Sequence, residues 1–247
     1  MRSDFDRIHR VIEQQNYMLL NSGGGGGGSS LLIDLVAYYK LEDTADSAGS
    51  HTLTGINTPT VVAAKIDNGY QIDQANNRYL RAADHADFDL GSVDLTIAMW
   101  IKPTDANVDY AALSKWNFGA GDMEYLLTIN GGGGASTFYA RKADDSGNVT
   151  VDKNIAFTVG TWYWVVVEVD HTNDIISLDA NNGGKTTAVW STTGRAGSQP
   201  FEIGGNNAAA TIALNAIVDE VGVWRRMLTA DEKTSLYNAG TGITYPF

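Results

Sequence analysis

Hydrophobic and polar positions change period once along this chain, at a run of six glycines. Ahead of that run, in SDFDRIHRVIEQQNYMLL (residues 3–20), Phe5, Ile8, Ile12, Gln15 and Leu19 recur at alternating spacings of three and four, and Val11 and Met18 widen the stripe. This period predicts a helix with one apolar face, opened by Ser3 as its cap. Beyond residue 30 the period shortens. Apolar or alternating runs recur at LVAYYKL (35–41), DLTIAMWIKP (94–103), EYLLTIN (124–130), TFYARK (137–142), TWYWVVVEVD (161–170), IISLDA (175–180), KTTAVW (185–190) and ALNAIVDEVGVW (213–224), separated by Gly, Asn and Asp. Short strands at such spacing predict a sandwich or jelly roll. HTND (171–174), NNGG (181–184) and GGGG (131–134) supply the turns, because Gly and Asn reach positive φ most cheaply. TWYWVVVEVD is apolar on both alternating faces as far as Glu168, so it predicts a central strand covered on both sides, with Trp162, Tyr163 and Trp164 in the core. One helical signal interrupts the strands: in MLTADEKTSLYNAG (227–240), Thr229 and Glu232 form a capping box and Gly240 suits the exit. A helix of about two turns should cover an open end of the sandwich, with Leu228, Leu236 and Tyr237 facing inward.

The glycines divide the chain into an amphipathic segment (1–21), a Gly/Ser linker (22–30) and a β domain (31–247). A glycine run loses the most backbone entropy on ordering and has nothing to bury. As a flexible coil, residues 22–30 span about 16 Å root-mean-square. A short isolated helix is marginal in water, so the stripe of Phe5, Ile8, Ile12 and Leu19 expects a partner surface. It packs either on its own β domain or, as a loose tether favours, on other copies or a larger assembly, with Gln15 as a polar register device.

Composition narrows the functional classes. The chain has 247 residues, 43% hydrophobic, enough for one substantial core, and no cysteine, which excludes disulfides and thiolate metal sites. Its formal charge of −12 falls entirely on residues 31–247, since three arginines balance Asp4, Asp6 and Glu13 in the first thirty. An acidic body argues against binding a phosphate backbone. No uninterrupted apolar stretch approaches the ~18 residues of a membrane span, and the charged residues of the N-terminal segment do not read as an export signal.

The segments LVAYYKLEDTADSAGSHTLTG (35–55), VDLTIAMWIKP (93–103), GTWYWVVVEVD (160–170) and above all IVDEVGVWRRMLTADEKTSLYNAG (217–240) resemble the laminin-G-like jelly-roll domains of the concanavalin A-like lectin/glucanase superfamily. The resemblance implies an all-β fold of two antiparallel sheets whose concave face takes carbohydrate or protein ligands. Combined with the N-terminal segment and the linker, it implies a virion surface protein, such as a bacteriophage head fibre, decoration protein or tail appendage. On that reading, residues 1–20 anchor an oligomer in the particle and the domain touches glycans or a host surface. A module that cements capsid or fibre subunits and a polysaccharide hydrolase are the alternatives.

The hydrolase reading needs paired carboxylates. Glucanase relatives carry Glu-x-Asp-x-Glu or Glu-x-Asp-x-x-Glu on one strand face, whereas here Glu168 and Asp170 are followed by Thr172 and Asn173, so the third carboxylate is missing. The four histidines fall on different segments and suggest no catalytic constellation. The resemblance also implies a structural calcium held by Asp43, Asp46 and Asp219, with solvated turn acids as the alternative reading of the loop EDTADSAG (42–49). Sugar binding uses aromatic faces beside amide side chains. Trp116 with Asn117, Tyr139 with Arg141, and Asn206 with Asn207 are the candidates, Trp116 first because Lys115, Asn117, Gly119 and Gly121 surround it.

Overall fold

The computed structural model describes residues 29–106, 110–130, 135–142, 146–155, 157–206 and 214–247. The predicted N-terminal helix with its anchoring positions Phe5, Ile8, Ile12 and Leu19, the glycine run and the GGGG turn lie outside the described residues. The described chain opens at Ser29, whose hydroxyl accepts the Leu31 amide at 3.2 Å and caps a 3₁₀ turn over Ser30–Leu32. Ser29 and Ser30, which composition groups with the linker, are therefore tied into the domain.

Fifteen described strands follow: β1 (Leu35–Tyr39), β2 (Thr54–Ile56), β3 (Thr60–Ala63), β4 (Asn68–Ile72), β5 (Tyr79–Ala82), β6 (Leu95–Pro103), β7 (Tyr110–Asn117), β8 (Asp122–Ile129), β9 (Ala135–Arg141), β10 (Asn148–Asn154), β11 (Tyr163–Asp170), β12 (Ile175–Ala180), β13 (Thr186–Val189), β14 (Phe201–Ile203) and β15 (Ala216–Trp224). They form two antiparallel sheets. The first runs β13-β12-β11-β6-β15-β4-β3, with β1 also paired to β15; the second runs β10-β9-β8-β7-β14-β5-β2. This is the expected all-β jelly-roll sandwich.

Period two explains the layering. Along β6, Leu95, Ile97, Met99 and Ile101 enter the core between the sheets, while Ala98 and Trp100 point outward. β11 lies between β12 and β6 and is buried along its whole length, as its two apolar faces require. The β12–β13 connection, residues 181–185, turns at Asn181 and Asn182, whose φ of 56° and 51° lies in the left-handed region that Asn tolerates.

The C-terminal helix α1 (Ala230–Tyr237) forms with both halves of its capping box in place: Thr229 Oγ1 accepts the Glu232 amide, and Glu232 Oε2 accepts the Thr229 amide. Its position differs from the expectation. It lies on the outer face of the first sheet and not over an open end. The reason is the aromatic load there: Tyr38, Trp100, Trp164 and Trp224 point out of the core, and Leu228, Leu236 and Tyr237 cover them. Tyr237 stacks on Trp100 with centroids 5.8 Å apart and planes at 16°. Burying a side chain such as Leu236 stabilises by roughly 1.5–3 kcal/mol. Among the described residues no helix is long and apolar enough to cross a membrane.

Candidate ligand-binding face

Alternation along β7, β8 and β9 sends Leu113, Tyr125, Leu127, Phe138 and Ala140 into the core. On the opposite, outer face of the second sheet, Ala111, Trp116, Met123 and Leu126 form a separate cluster with Tyr139 packed against it. Register brings these together: Trp116 pairs with Met123 and Leu126 with Tyr139, so the two aromatic rings flank β8 at 6.1 Å between centroids. Arg141 and Thr137 share the Tyr139 face by alternation; Arg141 Nη1 donates to Asn148 Oδ1 at 3.4 Å and Thr137 Oγ1 to Asp152 Oδ1 at 2.6 Å. At the tip of the β7–β8 hairpin Phe118 is 76% exposed.

The structure thus unites three of the sequence candidates, Trp116, Tyr139 and Arg141, on one sheet face. It also alters their roles. Trp116 sits inside β7, not in a loop, and retains only 7% of its exposure, so its ring supports the face more than it offers one. Asn117 spends its amide oxygen on the Ala120 N–H at 3.0 Å, stabilising the turn that presents Phe118. Asn206 is buried beyond β14, beside Gly205, whose carbonyl accepts from Ser114 Oγ. Asn207 lies outside the described residues. Phe118 was missed, although an aromatic between Asn117 and Gly119 was its visible signal.

Behind this face lies a charged cage. The register shift between Lys115 and Trp116 leaves Glu124 as the extra residue of β8, and the bulge turns its carboxylate toward Lys115. The Lys115 ammonium, with no side-chain exposure, sits 2.5 Å from Asp84, 3.1 Å from Asp89 and 3.1 Å from Glu124, and donates to the Gln199 carbonyl at 2.8 Å. Burial alone would lower the lysine pKa, yet the three carboxylates outweigh it and raise it. Burial, with Asp89 adding to it, pushes Glu124 up to about 7, because one ammonium cannot neutralise three acids. This is a cation site filled by the chain's own cation.

The implied calcium ligands do not form a comparable cage. Asp46 is consumed by backbone amides: Oδ1 accepts those of Tyr38, Ala48 and Gly49, and Oδ2 that of His51. Asp43 accepts the Ala45 amide at 2.7 Å. Asp219 is fully buried, accepts the Ile66 and Glu220 amides, and is pushed up to about 8 by burial. These three acids do not fit a calcium ion as arranged. Among the described residues, the groups of carboxylates and imidazoles whose ligand atoms do converge within 4.8 Å are Asp84, Asp89 and Glu124, around Lys115, and His51, His85 and Asp87. The second group joins two histidines from segments the sequence kept apart.

The glucanase-like carboxylates are both hydrogen-bonded within the chain. Glu168 Oε1 accepts from Lys233 of α1 at 2.6 Å, and Oε2 from Ser177 at 2.8 Å and Lys185 at 3.3 Å. Asp170 accepts both the Asn173 amide and its side chain.

Two antiparallel sheets, an aromatic face and a C-terminal helix over the first sheet describe a known architecture, and a family model matches residues 74–232, more than half of the chain. The chain belongs to the concanavalin A-like lectin/glucanase superfamily. Its likeness to solved members of this architecture is one of fold. The binding domain of Paraclostridial mosquitocidal protein 1 superposes with a TM-score of 0.71 at 13% identity over 85% of this chain and 53% of that one. Domain 4 of AbnA, an extracellular GH43 arabinanase from Geobacillus stearothermophilus in complex with arabinotriose, superposes at 0.62 with 17% identity, covering 85% of this chain and 98% of that domain. The receptor binding domain of botulinum neurotoxin D superposes at 0.66 with 9% identity, over 85% and 54%. This superfamily member spans about half the length of the toxin domains and nearly all of the arabinanase domain. No curated protein sequence matches it.

Proposed function

We propose that this chain is a non-catalytic carbohydrate-binding module whose contact surface is the outer face of the second sheet around Phe118, Tyr139 and Arg141. The observation that carries the reading is the asymmetry between the faces: α1 and the C-terminal tail pack on the first sheet's aromatic residues, whereas the small cluster on the second sheet contains strand residues only, and Phe118 stands exposed in the β7–β8 turn next to it in the chain. The receptor-binding and arabinotriose-complexed neighbours support a binding role of this class. The occupied states of Glu168 and Asp170 support the non-catalytic part.

Display in many copies on a virion or similar assembly, through residues 1–20 and the glycine tether, belongs to the same proposal and is supported by the amphipathic stripe. Weak single sites would then gain by avidity. On a glycan array, the multimerised full chain should bind at least one oligosaccharide class, and Phe118→Ala should lower that signal tenfold or more without a change in melting temperature. An array that stays at background, or a Phe118→Ala signal equal to wild type, overturns the assignment of this face. Sedimentation tests the anchor: the full chain should associate and a chain beginning at Ser29 should remain monomeric.

A further inference from the structure

We propose that His51, His85 and Asp87 form a binding site for a divalent transition-metal ion, with zinc as the fitting example. The two imidazoles converge on one carboxylate oxygen: His51 Nε2 lies 2.9 Å and His85 Nδ1 lies 3.2 Å from Asp87 Oδ2, with the rings 4.6 Å apart. Zinc bound at roughly 2.0–2.1 Å in a tetrahedron sets its ligand atoms about 3.4 Å apart. The His85 contact lies about 0.2 Å from that edge and the His51 contact about 0.5 Å short of it, a separation that a small rotation of the partly exposed Asp87 side chain supplies.

The hydrogen bonding at His85 supplies the reason for a cation. The Asp87 amide donates to His85 Nδ1 at 3.2 Å, so that nitrogen carries a lone pair and no proton. The same nitrogen faces the Asp87 carboxylate oxygen at 3.2 Å. That lone pair is held by the amide in the chain itself; an ion bound between Nδ1 and Oδ2 would take the amide's place and bond both atoms. Neutral His51 needs only to carry its proton on Nδ1 to present Nε2 as the third ligand, with water free to complete the shell.

His51 is pre-positioned for this role. Its amide donates to Asp46 Oδ2 at 3.0 Å, its carbonyl accepts from the Tyr39 hydroxyl at 2.7 Å, and its ring packs edge-on to Phe88 at 4.8 Å. Asp46 thus holds the His51 backbone in place and is not itself a ligand of this site. His85 and Asp87 come from the single 3₁₀ turn that begins after His85, so the ion would staple that turn to the loop following β1. Two imidazole nitrogens and one carboxylate suit zinc and its neighbours, whereas calcium selects oxygen alone. His85 and Asp87 are 54% and 42% exposed at the side chain, which gives the ion an entry path.

Calorimetric titration of ZnCl2 into the full chain tests the site. One ion per chain is expected, weakened at least tenfold by His85→Gln and by Asp87→Asn, with affinity retained in the double variant His9→Gln/His171→Gln. Cobalt(II) in place of zinc should give visible absorption bands that His85→Gln removes. The proposal is overturned by absence of zinc uptake, by binding that survives both His85→Gln and Asp87→Asn, by binding lost in the His9/His171 variant, or by CaCl2 titrating the same site with equal affinity.

Discussion

Lys115 shows at the scale of one residue why buried charge is kept only in company. Replacing it with Met removes the ammonium that pairs with Asp84, Asp89 and Glu124. Breaking a buried pair in this way costs about 3–5 kcal/mol. Urea denaturation of Lys115→Met should show that loss near pH 7.5 and a smaller one near pH 5, where Glu124, whose pKa lies at about 7, is protonated. Trp116→Ala should cost about 3–5 kcal/mol, the usual range for a large buried ring, whereas Phe118→Ala should stay within about 0.5 kcal/mol of wild type. The two aromatic residues look alike in the sequence and differ because alternation buries one on a strand and the turn exposes the other. The candidates Trp116, Tyr139 and Arg141 were legible as residue types near turns. Their meeting was not, because it depends on the cross-strand register of β7, β8 and β9, and neither was the approach of His51 to His85, which the 3₁₀ turn brings about.

At the scale of elements, the signals that could be read were those with a strong local cause. The capping box of Thr229 and Glu232 and the doubly apolar run of β11 both appear in the structure as expected. Strands β2 to β5, β7, β10 and β14 left weaker marks. TGI and FEI are three residues long, NGYQI opens with turn formers, and NVTVDKN has an apolar side only at alternate positions, so their pairing partners and not their own composition make them strands. The same limit moved α1: its cap was visible, but the aromatic residues it covers come from β1, β6, β11 and β15. Leu236→Ala, by exposing Trp100 and Trp164 to a cavity, should lower stability by about 2–5 kcal/mol. Thr229→Ala should lower it by about 1 kcal/mol through the lost cap. Equilibrium unfolding monitored by tryptophan fluorescence separates the two.

Across the whole molecule, the acids that burial perturbs set the response to pH. Asp219, Glu220 and Glu124 have folded pKa values raised to about 8, 7 and 7, chiefly by burial. Such groups hold protons more tightly folded than unfolded, so their contribution is fully present below the unfolded carboxylate range and is lost as pH rises toward 8. Glu232 behaves oppositely: although burial raises it, its bonds to Arg226 and the Thr229 amide bring it down to about 2, so its contribution fades as pH falls from about 4.5 toward 2. The melting temperature should therefore peak at mildly acidic pH and fall on both sides. A maximum above pH 8 would contradict this.

The same division of labour frames the functional account, in which one sheet is sealed by α1 and the other meets the ligand. Nuclear magnetic resonance of the isotopically labelled domain, titrated with the best oligosaccharide from the array, reads that division residue by residue. Shifts concentrated in Asn117–Asp122, Thr137–Arg141 and the facing part of β10 are the predicted result. Shifts centred on α1 and the outer face of β6 and β11, with the β7–β8 hairpin unmoved, would contradict the account.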